Sequence, residues 1–309
     1  MEAGLKQNCD MLVVNKNTFT ETFPWATGVS NLAFAYMSTA ENILADKEKL
    51  KECEQIFLEK TSAFSEFRGK LKNEIIFKMA MSENAETYFD ELYDIYKIIH
   101  PGNYMGSEYE ILSAMIIHKY VGENYYEKIV AKMNAYYDRM VNDAKKHAIT
   151  KKDDLPYITL LACSEQEEED LFAKMDRCFE ILALRIHDSD GVQALSHILA
   201  LADGDNAEKC ARALAVYEDL KSAGYNYKSG RLFSTLGLLA GLKMDTAEIY
   251  DLVTEVDDYL KDQIGFATLS VDAKTRLAFS AAMVATYYLG YNMTDEVALL
   301  SGSVDVTEK

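Results

Sequence analysis

The chain has 309 residues, 49% of them apolar and 27% charged, which allows one to three domains with a sizeable core. Only three prolines (Pro24, Pro101, Pro156) and fifteen glycines occur, too few for an all-β chain rich in tight turns. Fifty acids against 32 bases give a formal charge of -18, a field that repels phosphate backbones and anionic membranes, so neither nucleic acid nor membrane is an expected partner.

Residues 1–25 are the least patterned. Leu5–Val14 reads as a short helix and Asn15–Trp25 as a connection holding Pro24 and the only tryptophan. A helix is expected from Gly28 to about Ala45, with Leu32, Ala33, Tyr36, Met37 and Ala40 on one face, and Asp46 opens a second with Leu50, Cys53, Ile56 and Phe57. The stretch Thr61–Gly69, TSAFSEFRG, breaks the pattern before a helix over Lys70–Met81, and Ser82 opens the next, which ends at His100-Pro101-Gly102. Ser107-x-x-Glu110 is a capping box in front of another helix. After Gly122 a long helix carries Tyr126, Ile129, Val130, Met133, Tyr137 and Met140. Asp153-Asp154-Leu155-Pro156 places a proline in a first turn, where its missing amide does no harm, and Ser164-x-x-Glu167 starts the partner helix.

The clearest unit is residues 189–224, two amphipathic helices joined by Asp203-Gly204-Asp205 and stopped at Gly224. A further pair follows over Gly230–Lys243 and Asp245–Gln263. Ser270–Tyr291 is a long alanine-rich helix, too short in its apolar run to span a bilayer and expected to be buried. A tail helix is expected after Thr294, with Ser301–Lys309 frayed.

Second-helix starts near Ser82, Gly122, Ser164, Asp205 and Asp245 fall 40, 42, 41 and 40 residues apart. An apolar–acidic–x–apolar tetrad recurs in phase with them: Cys53–Ile56, Tyr93–Tyr96, Tyr137–Met140, Phe179–Leu182, Tyr217–Leu220 and Val256–Tyr259. Each hairpin leaves an apolar face uncovered, and stacking its neighbours buries it. The expectation is therefore one all-α domain over residues 1–309, an α-solenoid-like array of hairpins with a period near 40, with a compact multi-helix bundle as the alternative. The tetratricopeptide signature is missing, and the period is closer to that of HEAT-like arrays.

Chemistry is sparse. The histidines (His100, His118, His147, His187, His197) form no H-E-x-x-H and none follows a glutamate by three residues, so no metal site and no cofactor is expected. No nucleophile elbow, phosphate loop or C-x-x-C pair occurs, and the five cysteines suit a reducing cytoplasm. Met1-Glu2-Ala3-Gly4 lacks the basic-then-apolar run of a signal peptide. Lys145, Lys146, Lys151 and Lys152 read as a solvated loop, and Glu165–Asp170 as a solvated helix start that suits the dipole. Three residues stand out as candidate ligand contacts. Phe67 and Arg68 lie in the irregular junction, where the guanidinium could hold a carboxylate or cap a helix. His197 sits in an apolar segment, either as a packed core histidine or as a ligand.

Four segments in order, FSEFRG (Phe64–Gly69), YFDELYDIYKI (Tyr88–Ile98), Asp153-Asp154-Leu155-Pro156 and LSHILALADG (Leu195–Gly204), resemble the bacterial domain-of-unknown-function family numbered four thousand and three, over most of residues 25–290. The resemblance implies a bacterial, mainly helical protein and transfers no catalytic residue. Catalytic residues are not expected. The residues favour a binding or scaffold protein for a protein segment or peptide, held by aromatic-rich helices. The alternative is an enzyme or small-ligand sensor with a pocket between hairpins, using Arg68 and His197.

Overall fold

A computed structural model describes residues 1–102, 106–142, 150–225, 233–267 and 271–290. Among these the protein is all-α, with fourteen α-helices. They are α1 (Ala3–Thr22), α2 (Gly28–Ala40), α3 (Lys47–Lys60), α4 (Lys72–Met81), α5 (Ala85–Ile99), α6 (Glu108–Tyr120) and α7 (Tyr126–Asn142), then α8 (Leu155–Cys163), α9 (Glu168–Ala183), α10 (Ser189–Leu201), α11 (Asn206–Ser222), α12 (Ser234–Ala240), α13 (Thr246–Lys261) and α14 (Ala273–Leu289). Lys145, Lys146, His147, the start of the helix expected from Gly230 and the tail after Thr294 lie outside the described residues. The chain divides into two compact units, a central one (Asp46–Gln166) and a terminal one (Met1–Ala45 with Glu167–Lys309).

Burial alternates along the chain and explains the sequence pattern. Even-numbered helices are apolar on nearly every side. Every residue of Ile111–Ile117 in α6, Pro156–Ala162 in α8, Gly191–Ala200 in α10 and Thr275–Thr286 in α14 is buried. Odd-numbered helices bury one stripe: Val130, Met133, Tyr136 and Met140 in α7, or Leu171, Phe172, Met175, Cys178 and Leu182 in α9. The first kind must be covered all round, and the second kind supplies a cover. Each large apolar side chain so buried contributes about 1.5–3 kcal/mol.

Within the central unit α5 packs on α6, α7 on α8, and α6 on α8; within the terminal unit α9 packs on α10, α11 on α12, and α10 on α12. The closest pairs thus join an odd helix to the even helix after it. The sequence reading paired them the other way, across turns such as Asp203-Gly204-Asp205, where α10 and α11 touch much less. The reason is that α11 directs its single stripe towards α9, α12 and α13.

The largest local difference lies at the N-terminus. The helix read over Leu5–Val14 continues to Thr22, because Asn15 and Lys16 are buried on the apolar face. Asn15 Nδ2 donates to Thr39 Oγ1 and to the Ile43 carbonyl, both at 3.0 Å, and its Oδ1 accepts from the Ala45 amide at 2.8 Å. That clamp also ends α2 at Ala40, with Asn42 in the left-handed region at φ 56°. Two caps move as well: Asn84 rather than Ser82 starts α5, and Glu167 precedes α9 while Ser164 Oγ accepts from the Gln166 amide.

The terminal unit joins α1 and α2 to α13 and α14. The Tyr36 hydroxyl bonds Thr286 and its ring meets Phe279 edge-on at 5.8 Å, while Tyr259 donates to Asp10. A buried pair, Arg276 with Asp257 at 3.0 Å through both nitrogens, ties α14 to α13, and Arg276 Nη1 also donates to the Phe266 carbonyl.

Candidate functional site

The junction predicted from FSEFRG is a short 3-10 turn, Glu66–Arg68, whose residues face three ways. Ser65 Oγ accepts from the Phe67 amide and starts the turn. Phe67 is fully buried, with its ring edge-on to Phe89, Tyr93 and Tyr96 at 5.7, 5.6 and 4.9 Å. Arg68 donates from Nε to Thr61 Oγ1 at 2.9 Å and from Nη2 to the Leu58 and Thr61 carbonyls, each at 2.6 Å. These close the C-terminus of α3, where a cation also suits the helix dipole. Phe64, one residue before Ser65, is 93% exposed.

Glu66 opens a polar cluster that sequence reasoning did not assemble. Its Oε1 accepts from the Tyr96 hydroxyl at 2.7 Å, and the Tyr96 ring stacks on the His100 imidazole at 5.5 Å. His100 Nδ1 lies 3.3 Å from Glu110 Oε1. The other oxygen of Glu110 accepts from the Ser107 amide at 2.6 Å and completes the predicted capping box. Gly106 covers the cluster: a Cβ there would stand 2.0 Å from the Tyr96 hydroxyl. Burial pushes the Tyr96 phenol above its ordinary range, and Glu66 and Glu110 push it further, so the hydroxyl remains a donor. A carboxylate-held imidazole beside a phenol can relay a proton. Ser107-x-x-Glu110 and His100-Pro101-Gly102 were legible as cap and stop, but their meeting needs the third dimension.

His197 is buried within α10 in the terminal unit, whereas Phe67 and Arg68 belong to the central one. The three residues are therefore components of two units, each with its own packing role.

A second feature escaped the sequence. Lys132 Nζ donates to the Ser164 carbonyl after α8 at 2.8 Å. Arg212 donates to the carbonyls of Ala240, the last residue of α12, at 3.0 Å, and of Leu242 and Met244 beyond it, the latter at 2.8 Å. Both cations stand five residues before their tetrads, Tyr137–Met140 and Tyr217–Leu220, and each closes the next even helix. Lys209 adds a third closure, donating to the Leu199 and Ala202 carbonyls at 2.8 and 2.6 Å.

Among the described residues no group of three His, Cys, Asp or Glu side chains is placed to hold a metal ion, and no helix is long and apolar enough to cross a membrane. The class is thus an all-α protein of alternating enclosed and covering helices. Residues 16–301 match the family model described as protein of unknown function (DUF4003), and the chain belongs to that family. No curated protein and no solved structure matches the chain.

Proposed function

We propose that this chain is a non-enzymatic binding protein that recognises a segment of another protein in a reducing, cytoplasmic setting. One observation carries the reading: Trp25, between α1 and α2, is 97% exposed, and Phe64, between α3 and the Glu66–Arg68 turn, is nearly as exposed. Other large rings, among them Tyr36, Phe57, Phe67 and Tyr157, are fully buried, and these two are the most exposed aromatic rings among the described residues. A ring that becomes covered contributes heavily to an interface. Both turns are braced. Thr27 Oγ1 accepts from the Ser30 amide at the start of α2, and Arg68 and Ser65 brace the Phe64 turn. Rings presented on braced backbone lose little further freedom when they bind. The matching roles of Lys132 and Arg212 support repeated units, and helical repeats commonly expose extended binding surfaces.

The test is a photo-crosslinking side chain placed at position 25 or 64, with exposed Glu83 as the control position. The reading expects discrete protein adducts from 25 or 64. Adducts no stronger than those from 83 would remove it.

A small-ligand sensor is the second reading, favoured by the Glu66–Tyr96–His100–Glu110 cluster. It requires a compound whose stabilisation of the protein in thermal melts is lost in Tyr96→Phe. A metabolite screen that raises no melting temperature would count against it.

A further inference from the structure

We propose that Cys178 and Cys210 form a reversible intramolecular disulfide that joins α9 to α11. The two residues lie on neighbouring covering helices, and both are free and fully buried. Cys210 Sγ lies 3.9 Å from the Cys178 carbonyl oxygen, so the sulfur of one residue sits directly over the backbone of the other. They are 32 residues apart in sequence, a spacing that no short cysteine motif reveals.

The other thiols differ. Burial pushes Cys9 up to about 12 and also raises Cys53. Cys178 moves the opposite way, held down first by the adjoining Cys210 side chain and then by the charges of Lys209 and Arg177. Cys210 is raised by the adjoining Cys178 side chain and by burial. In the proposed exchange Cys178 is the attacking thiol and Cys210 the resolving one.

The oxidant is a low-molecular-weight disulfide, RSSR, which reaches the pair when the α9–α11 stripe opens locally. The Cys178 thiolate attacks one sulfur of RSSR, forms a mixed disulfide and expels RS⁻. The Cys210 thiolate then attacks the Cys178 sulfur, closes the protein disulfide and expels the second RS⁻. Two protein thiols are oxidised, RSSR is reduced to two RSH, and the cysteine protons end on those thiols. Closure ties a loop of about 30 residues and limits the freedom of the unfolded chain.

The test uses the reduced full chain incubated with oxidised glutathione, quenched in acid, alkylated in denaturant and mapped by peptide mass spectrometry. The expected product is a linked Cys178–Cys210 peptide, two hydrogens lighter than the reduced pair. It should be reversed by dithiothreitol and absent from Cys178→Ser and Cys210→Ser. The bridged protein should melt about 5–10 °C higher than the reduced one. The wild-type map decides the matter even if the variants fold poorly. Recovery of both thiols alkylated at every glutathione ratio, or their capture in bridges to other cysteines, overturns the proposal.

Discussion

Glu74 offers the sharpest test of how the central unit is held. It lies in the first turn of α4, its side chain is buried, and its Oε2 has no hydrogen-bond partner in the structure. Burial pushes its carboxyl up to about 8, against an ordinary 4.5 in the unfolded chain. The sign follows directly. The folded protein holds this proton more tightly than the unfolded one, so stability falls wherever the unfolded group has ionised and the folded group has not, and Glu74 favours folding least above about pH 8. Stability from this residue is fully present below about pH 4.5, falls by about 1.4 kcal/mol per pH unit above that, and levels off beyond about pH 8. Between pH 5 and pH 7.5 the loss is about 3 kcal/mol. Glu74→Gln keeps the shape and cannot ionise. Urea unfolding of both proteins at pH 5, 6, 7 and 8 isolates the effect, because every other titrating group cancels in the difference. The variant should gain about 3 kcal/mol on wild type between pH 5 and pH 7.5. A difference that stays flat across this range would refute the reasoning.

Arg212→Met removes three charged hydrogen bonds to carbonyls at and beyond the end of α12 and should cost about 1.5–3 kcal/mol in thermal or urea unfolding, with Arg212→Lys recovering part of it. Arg276→Met leaves Asp257 buried without its partner and should cost about 3–5 kcal/mol, whereas Arg276→Met with Asp257→Leu should recover most of the loss; an equal or larger loss in the double variant would refute the pairing. Gly237→Ala puts a Cβ 2.7 Å from Ile198 Cγ2, so it should destabilise by about 1–3 kcal/mol despite alanine's better helix propensity, and the effect should shrink in an Ile198→Ala background.

Much of the helical order was legible because burial here follows simple periodicity. The single stripes of α7, α9 and α13 and the caps at Asp46, Ser107, Asp205 and Asp245 depend on residues close in sequence. The family was legible too, from motif order between Phe64 and Gly204. What escaped depends on distance. Asn15 and Lys16 looked like a break in the apolar pattern because their partners, Thr39 and Ile43 for Asn15 and the Phe266 ring for Lys16, are remote. The pairing of odd helices with the even helices that follow was hidden because short turns suggest the opposite grouping. Arg68 could be read either as a ligand contact or as a cap, and only the position of the α3 carbonyls distinguishes them. The Glu66–Tyr96–His100–Glu110 cluster draws on three segments whose local signatures, a junction, a helix end and a capping box, do not tell that they meet.

Trp25 is the only tryptophan, so intrinsic fluorescence reports directly on the proposed binding turn. Free protein should emit as a fully hydrated indole and be readily quenched by acrylamide. Addition of the protein captured at position 25 should shift the emission to the blue and reduce quenching. Unchanged emission and quenching in the saturated complex would contradict a binding role for this turn.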